Sequence, residues 1–335
     1  MRFISALLVL GTAMALLLSG CGGGTSASNG GSGGGKITLV AYSTPKEAYE
    51  AVIPAFQKTV AGKGVSFEQS YGASGEQSRA VEAGLPASVV AFSLAPDVDR
   101  LVKAGLVSSD WNSDAYHGMV TDSVVVFVVR KGNPKGIHTW DDLVKPEIQV
   151  ITPNPFTSGG ARWNLMAAYG AQLELGKTPD QALAFLGEVL KHTVVQDKSA
   201  RDALQTFVGG KGDVMLAYEN EAITAQQKGE DVDYVVPDQT ILIENPVAVT
   251  NDGGEAGKAF VDYLRTPPAQ KIFGQKGYRP VVKSVLDTFQ FPQPSGLFTI
   301  DKVGGWDEVM SKFFDRDNGL VAKIEQGLGV STDSG

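Results

Sequence analysis

Cysteine is nearly missing: the 335-residue chain holds one, Cys21, so no disulfide can form within it. Histidine is almost as scarce. His117, His138 and His192 stand far apart, and no spacing resembles a set of metal ligands. Positive charge is in deficit, with 29 Lys and Arg against 37 Asp and Glu, a net charge of −8 and a pI near 5.0. That balance argues against nucleic acid as a partner, and equally against an overall field that would trap anions. No GxxxxGK[ST] loop occurs, so nucleotide hydrolysis is not expected here. Beyond residue 18 no run approaches ~18 uninterrupted apolar residues, the length a membrane-spanning helix needs. The chain does have 43% hydrophobic and 20% charged residues, the make-up of a soluble globular protein, and length for two domains.

The N-terminus accounts for the single cysteine. Met1-Arg2 followed by the apolar run Phe3 to Leu18 reads as a secretory signal over residues 1–20. It ends in Leu18-Ser19-Gly20-Cys21, which resembles the bacterial lipobox, where cleavage precedes a cysteine whose sulfur carries lipid. Residues 21–35, rich in Gly and Ser, have nothing to bury and read as a flexible tether. The expectation is an extracytoplasmic protein anchored to the cell membrane through Cys21.

The body repeats one rhythm. Ile37 to Tyr42 reads as a strand, followed by Ser43, Thr44 as helix cap, Pro45 at the first helical position and Glu47 closing a capping box. Val65 to Ser70 is the second strand, with Ser74 capping the next helix and Gln77 three residues on. Ser88 to Phe92 is a short third strand. Val124 to Val129 is an unbroken apolar run, expected to be buried on both faces. A new series begins at Ile148 and includes Val194-Val195, a helix capped by Ser199, and the strand Val214 to Tyr218. Ile241 to Ile243 and then Val247 to Val249, beyond Pro246, carry the chain back; later helices are expected over 256–265, 268–273 and 306–314. Strand-turn-helix order predicts an α/β fold with mainly parallel sheets, whose ligands bind beyond the carboxyl ends of the strands.

The most informative stretch is Ser158-Gly159-Gly160-Ala161-Arg162-Trp163-Asn164, a turn after the Ile148 to Ile151 strand that opens into a helix. Free backbone N–H groups there, backed by the positive end of the helix, suit an oxyanion; an ordinary N-cap is the plainer reading. Similar junctions at Ser43-Thr44, Ser74-Gly75 and Ser199-Ala200 favour the oxyanion. Two lie in each half of the chain and could converge from opposite sides. Charge-assisted hydrogen bonds contribute ~1.5–3 kcal/mol each and helix ends ~0.3–1, whereas micromolar binding needs only ~8 kcal/mol net.

At these residues the sequence resembles the periplasmic sulfate-binding proteins, the substrate-capturing subunits of sulfate/thiosulfate ABC importers. The matching stretches are Val129 to Pro134, Ile151 to Pro155, Ser158 to Asn164, Tyr218 to Ala222 and Tyr278-Arg279-Pro280, within similarity running from Ile37 to Trp306. The resemblance implies a two-lobe, type II periplasmic binding fold, with lobe 1 at 36–122 and 246–335 and lobe 2 at 123–245. It implies dehydrated sulfate, or thiosulfate, held by Ser43, Ser74, Ser158, Gly159, Gly160, Ala200 and Tyr218. It further implies no cofactor, a monomer, and delivery to a permease whose ATPase subunit lies across the membrane. Two positions depart from the family: Ser43 replaces an aspartate that donates its backbone N–H, and Tyr218 replaces a tryptophan. A phenol can accept as well as donate, unlike an indole.

A cage of donors alone would favour unprotonated sulfate over phosphate, whose proton needs an acceptor. Asp197, Glu219 and Glu221 lie close in sequence, and any of them reaching the ligand would undo that preference. Arg162 and Arg201, just inside their helices, read as braces for the loops behind the ligand. Tyr42, Tyr71 and Tyr218 lack the adjacent-tyrosine pattern of ferric-ion binders. Other readings are molybdate or another tetrahedral oxyanion, and an extracytoplasmic ester hydrolase, for which Ser158 has no histidine at motif spacing.

Overall fold

The computed structural model describes residues 34–332. The signal expected over 1–20, Cys21 and nearly all of the 21–35 tether lie outside those residues. The strands are β1 (Lys36–Tyr42), β2 (Ser66–Gly72), β3 (Val89–Ala91), β4 (Met119–Arg130), β5 (Val150–Ile151), β6 (Thr193–Val195), β7 (Val214–Tyr218), β8 (Val232–Val235), β9 (Gln239–Val249), β10 (Arg279–Pro280) and β11 (Gly296–Phe298). The helices are α1 (Lys46–Gln57), α2 (Ser74–Glu82), α3 (Ala95–Lys103), α4 (Gly159–Glu174), α5 (Pro179–Lys191), α6 (Ala200–Val208), α7 (Glu219–Gln227), α8 (Gly254–Leu264), α9 (Pro267–Gln275), α10 (Lys283–Leu286), α11 (Gly305–Lys312) and α12 (Leu320–Gly327). None of the described helices is long and apolar enough to cross a membrane.

Strand order is β2-β1-β3-β9-β4-β7-β5-β6. Pairing is parallel at both ends, among β1, β2 and β3 and among β5, β6 and β7. Between them β4 and β9 run antiparallel to each other and to their outer neighbours, so these two long strands join the parallel ends. The architecture is the α/β arrangement expected, with helices on both faces.

Side-chain alternation explains the apolar run of β4. Val125, Phe127 and Val129 pack with Trp163 and Met166 of α4, while Val124, Val126 and Val128 pack with Ile151 and Phe207 on the other face. Both faces are covered, so no position needs a polar residue. The outer strands repeat the pattern: Ile37 and Leu39 meet Phe56 and Phe260, whereas Val40 meets Phe92 and Leu101.

One expectation changes. Ile241–Ile243 and Val247–Val249 belong to one strand, not two, because Pro246 sits opposite Met119 where the β4–β9 register shifts. Proline, having no N–H to give, is tolerated at such an irregularity. The C-terminal part also divides. Phe260 and Phe273 join the α1 core, but Phe298, Val309, Phe313 and Val321 join Trp163 and Met166. The apolar side chains of residues 296–327 thus gather on the second-half core, while α11 also lies against α3 of the first half; β11, parallel to Gln239–Ile241, carries the chain there.

Candidate anion site

All four junctions occur at helix starts; Ser199 caps as the sequence rules expect, but the caps of α1 and α2 depart from them. Ser158 is the N-cap of α4 without a side-chain capping bond, so the N–H groups of Gly159, Gly160 and Ala161 lack helical acceptors. Ser199 caps α6 through a bond from Asp202 N to its Oγ at 3.2 Å, leaving the Ala200 and Arg201 N–H groups open. The other two capping boxes do not form. Pro45 is the N-cap of α1, while Thr44 Oγ1 lies 3.3 Å from the Tyr278 hydroxyl. The Glu47 carboxylate bonds Arg201 at 2.8 and 2.5 Å and also Lys228. Ala73 is the N-cap of α2; Ser74 Oγ donates to Asp97 Oδ2 at 2.6 Å and accepts from Ser93 N at 3.0 Å. Gln77 Oε1 accepts from Ser70. For Thr44, Glu47 and Ser74, charged or distant partners outcompete a single local N–H, and the N–H groups of all four helix starts are left uncapped or partly so.

The starts also meet. A Cβ built on Gly160 would lie 3.5 Å from Ser158 Oγ, 3.6 Å from the Tyr218 ring and 3.8 Å from Ala200 Cβ. One built on Gly75 would lie 3.1 Å from the Thr157 carbonyl, so the α2 start abuts the loop before α4. Ser43 offers its carbonyl to Arg201 at 3.1 and 3.3 Å, tying the α1 start to that of α6. Ser43, Ser74, Ser158, Gly159, Gly160, Ala200 and Tyr218 therefore form one constellation, and only Ala200 is more than marginally exposed. A groove of about 420 Å³, lined by Ser43, Lys46, Ala73, Lys198 and Ser199 among others, reaches the residues just before three of the helix starts.

Both arginines brace. Arg162 Nε donates to the Pro155 carbonyl at 2.8 Å, and its guanidinium lies over Phe314. Arg201 clamps Glu47 and the Ser43 carbonyl. Burial alone would raise Glu47, but the bonds from Arg201 and Lys228 outweigh it and hold its carboxyl down at about 2. Two of the three neighbouring carboxylates have other partners, whereas Asp197 Oδ2 is buried without a hydrogen-bond partner. Glu219 is paired with Arg279 at 2.7 and 3.2 Å. Glu221 accepts from Tyr218 N at 3.3 Å and lines a separate cavity of about 350 Å³ with Thr44, Arg201 and Leu204. The backbone carbonyl of Asp197 accepts from Asn154 N at 2.8 Å. Among the described residues, no group of three His, Cys, Asp or Glu side chains could hold a metal ion.

Sequence reading passed over Asp97, in the first turn of α3, and Ser93, two residues beyond β3. Ser93 had a signal: like Ser43 and Ser74 it is a serine just past a strand's carboxyl end. The sequence could not show that its N–H and its hydroxyl each meet a member of this constellation. Its N–H goes to Ser74, its carbonyl accepts from Trp163 Nε1 at 2.8 Å and Asn245 Nδ2 at 3.2 Å, and its hydroxyl meets the Tyr218 hydroxyl at 2.6 Å.

Burial also pushes Glu221 up to about 7, against the smaller lowering effects of the Tyr218 N–H and Arg201. A raised carboxyl is protonated in the folded chain before it is in the unfolded one. Its penalty is therefore absent below pH ~4.5 and complete above about pH 7. Glu221→Gln is expected to gain roughly 1–3 kcal/mol of stability at pH 8 and nothing at pH 4.5. Denaturant melts at both values check this, and an equal gain at both would place the cause elsewhere.

The fold and this constellation together define a solute-binding protein: two parallel-sheet halves joined by crossing strands, with backbone donors gathered where they meet. The chain belongs to the family of bacterial extracellular solute-binding proteins, which it matches over residues 37–279. It is 43% identical to the sulfate-binding protein of Synechococcus elongatus over 333 residues, covering 95% of each chain. It is 40% identical to the sulfate-binding protein of Escherichia coli, covering 83% of this chain and 90% of that one. The structure of the sulfate-binding protein SubI from Mycobacterium tuberculosis H37Rv superposes with a TM-score of 0.82 at 46% identity, covering 84% of this chain and all 100% of that one.

Proposed function

We propose that this protein binds sulfate outside the cytoplasm, as the capture component of an ABC importer, and hands it to a membrane permease. The observation that carries the reading is the meeting of Ser158, Gly160, Ala200 and Tyr218 around one point, with the open N–H groups of Gly159, Gly160 and Ala200 beside it. A dianion there is neutralised by fixed dipoles, with no cation required in contact. The kinship with sulfate-binding relatives supports the same ligand. Closure of lobes around the β4 and β9 crossings encloses it, and Ser43 and Ser74 contribute backbone N–H groups from the opposite side. Ser74 gives no hydroxyl proton, since Asp97 takes it. The protein acts as a monomeric carrier and not as an enzyme, held at the membrane by a lipid on Cys21.

Titration calorimetry on residues 22–335 is expected to show sulfate binding at micromolar affinity or tighter, weaker thiosulfate and molybdate binding, and weaker hydrogen phosphate binding still. No heat with sulfate would sink the proposal. Tighter thiosulfate than sulfate would reassign the cargo within the same site.

A further inference from the structure

We infer that Ser93 is a positioning residue for the anion: its hydroxyl donates to that of Tyr218, which commits the phenol's own proton to the ligand. The inference rests on the anion reading above and extends it to a residue that sequence reading passed over. Ser93 and Tyr218 are each 1% exposed, and their oxygens lie 2.6 Å apart. Two hydroxyls sharing one bond keep one proton to spare, whichever of them donates. That proton lies beside the two glycines whose N–H groups are open. A Cβ on Gly160 would touch the Tyr218 ring edge at 3.6 Å, and one on Gly159 would come within 2.8 Å of Ser93 Oγ. Burial raises the Tyr218 phenol well above its ordinary range, so it keeps its proton at neutral pH.

The arrangement resolves the departure at Tyr218. An indole N–H can only donate, whereas a free phenol can turn and accept from a protonated anion. With the Ser93 proton seated on its oxygen, the phenol must aim its own proton elsewhere, and the pair behaves as a donor alone. Ser93 is held for this role by its backbone, through Ser74, Trp163 and Asn245. Removing only the hydroxyl leaves those bonds in place.

The test is a double-mutant cycle of Ser93→Ala and Tyr218→Phe, read by calorimetry with sulfate and with hydrogen phosphate at pH 8, where both are dianions. Ser93→Ala is expected to weaken sulfate about tenfold and to lower the sulfate-to-phosphate ratio, because the released phenol can now accept. Tyr218→Phe should weaken sulfate at least as much, and the double variant no further than Tyr218→Phe alone. A purely structural Ser93 would weaken both anions alike and add to the Tyr218→Phe loss. Unchanged Ser93→Ala affinity and ratio, additive losses, or a larger loss in Ser93→Ala than in Tyr218→Phe would each overturn the inference. Should Ser93→Ala melt too low for titration, Ser93→Cys keeps the packing with a weaker donor and must lower the same ratio. Silence of the parent protein towards every anion would overturn the anion reading itself; normal parent binding with an unaffected Ser93→Ala would overturn the Ser93 role alone.

Discussion

Ser158→Asp is expected to abolish sulfate binding while leaving the melting temperature at or above that of the parent protein. The Ser158 side chain makes no capping bond, and the three N–H groups after it are open. An aspartate there is a good N-cap, and its carboxylate can accept the N–H groups offered to the ligand. The fold thus gains an internal anion where the external one would bind. A carboxylate ~4 Å from a dianion at an effective dielectric of 20 repels it by about 8 kcal/mol, as much as micromolar binding provides. Calorimetry should detect no sulfate binding, and circular dichroism should show an intact, equally stable protein. Retained affinity would mean that the ligand lies elsewhere; an unfolded product would mean that Ser158 serves the core.

The two glycines of the same turn are expected to respond in opposite ways. On Gly159 a methyl group would press within 2.8 Å of Ser93 Cβ and Oγ, and Ser93 is fixed by its own bonds. Gly159→Ala should therefore lose about 1–3 kcal/mol of stability through overpacking. On Gly160 the nearest atoms lie at 3.5–3.8 Å, ordinary contact distances, so the folded chain accepts the methyl without strain. Yet those atoms belong to Ser158, Tyr218 and Ala200, and the methyl takes the space that the anion's oxygen needs. Gly160→Ala is expected to melt no lower than the parent and to bind sulfate at least a hundredfold more weakly, the loss of one or two charge-assisted bonds. Equal melting losses in both variants would contradict this packing; normal sulfate affinity in Gly160→Ala would remove Gly160 from the site.

Much of this was legible in the chain itself. Strand and helix positions follow from apolar periodicity, and Val214 to Tyr218 falls on β7 residue for residue. The α4 turn was legible as a helix start, and the three similar junctions, not Ser-Gly-Gly alone, favoured an oxyanion over an ordinary N-cap there. Local rules failed at Thr44, Glu47, Ser74 and Gln77: the first three found partners far away in sequence, and Gln77 turned to Ser70 on the preceding strand. Capping rules weigh only neighbours along the chain, and an ion pair of Glu47 with Arg201 and Lys228, more than a hundred residues distant, lies beyond them. Pro246 misled in the same way, since the register shift that tolerates it is a property of two strands.

The sequence by itself determined the class of fold, the buried character of β4 and the type of chemistry, because periodicity, glycine placement and helix starts act over a few residues. Tertiary structure alone decided which donors remain available. It gave the Ser74 hydroxyl to Asp97 and the Glu47 carboxylate to Arg201, set Ser93 against Tyr218, and laid Phe298, Phe313 and Val321 on the second-half core. Each of those outcomes is a competition among partners that the chain brings together only by folding, and its result depends on distances of a few ångströms that no linear pattern contains.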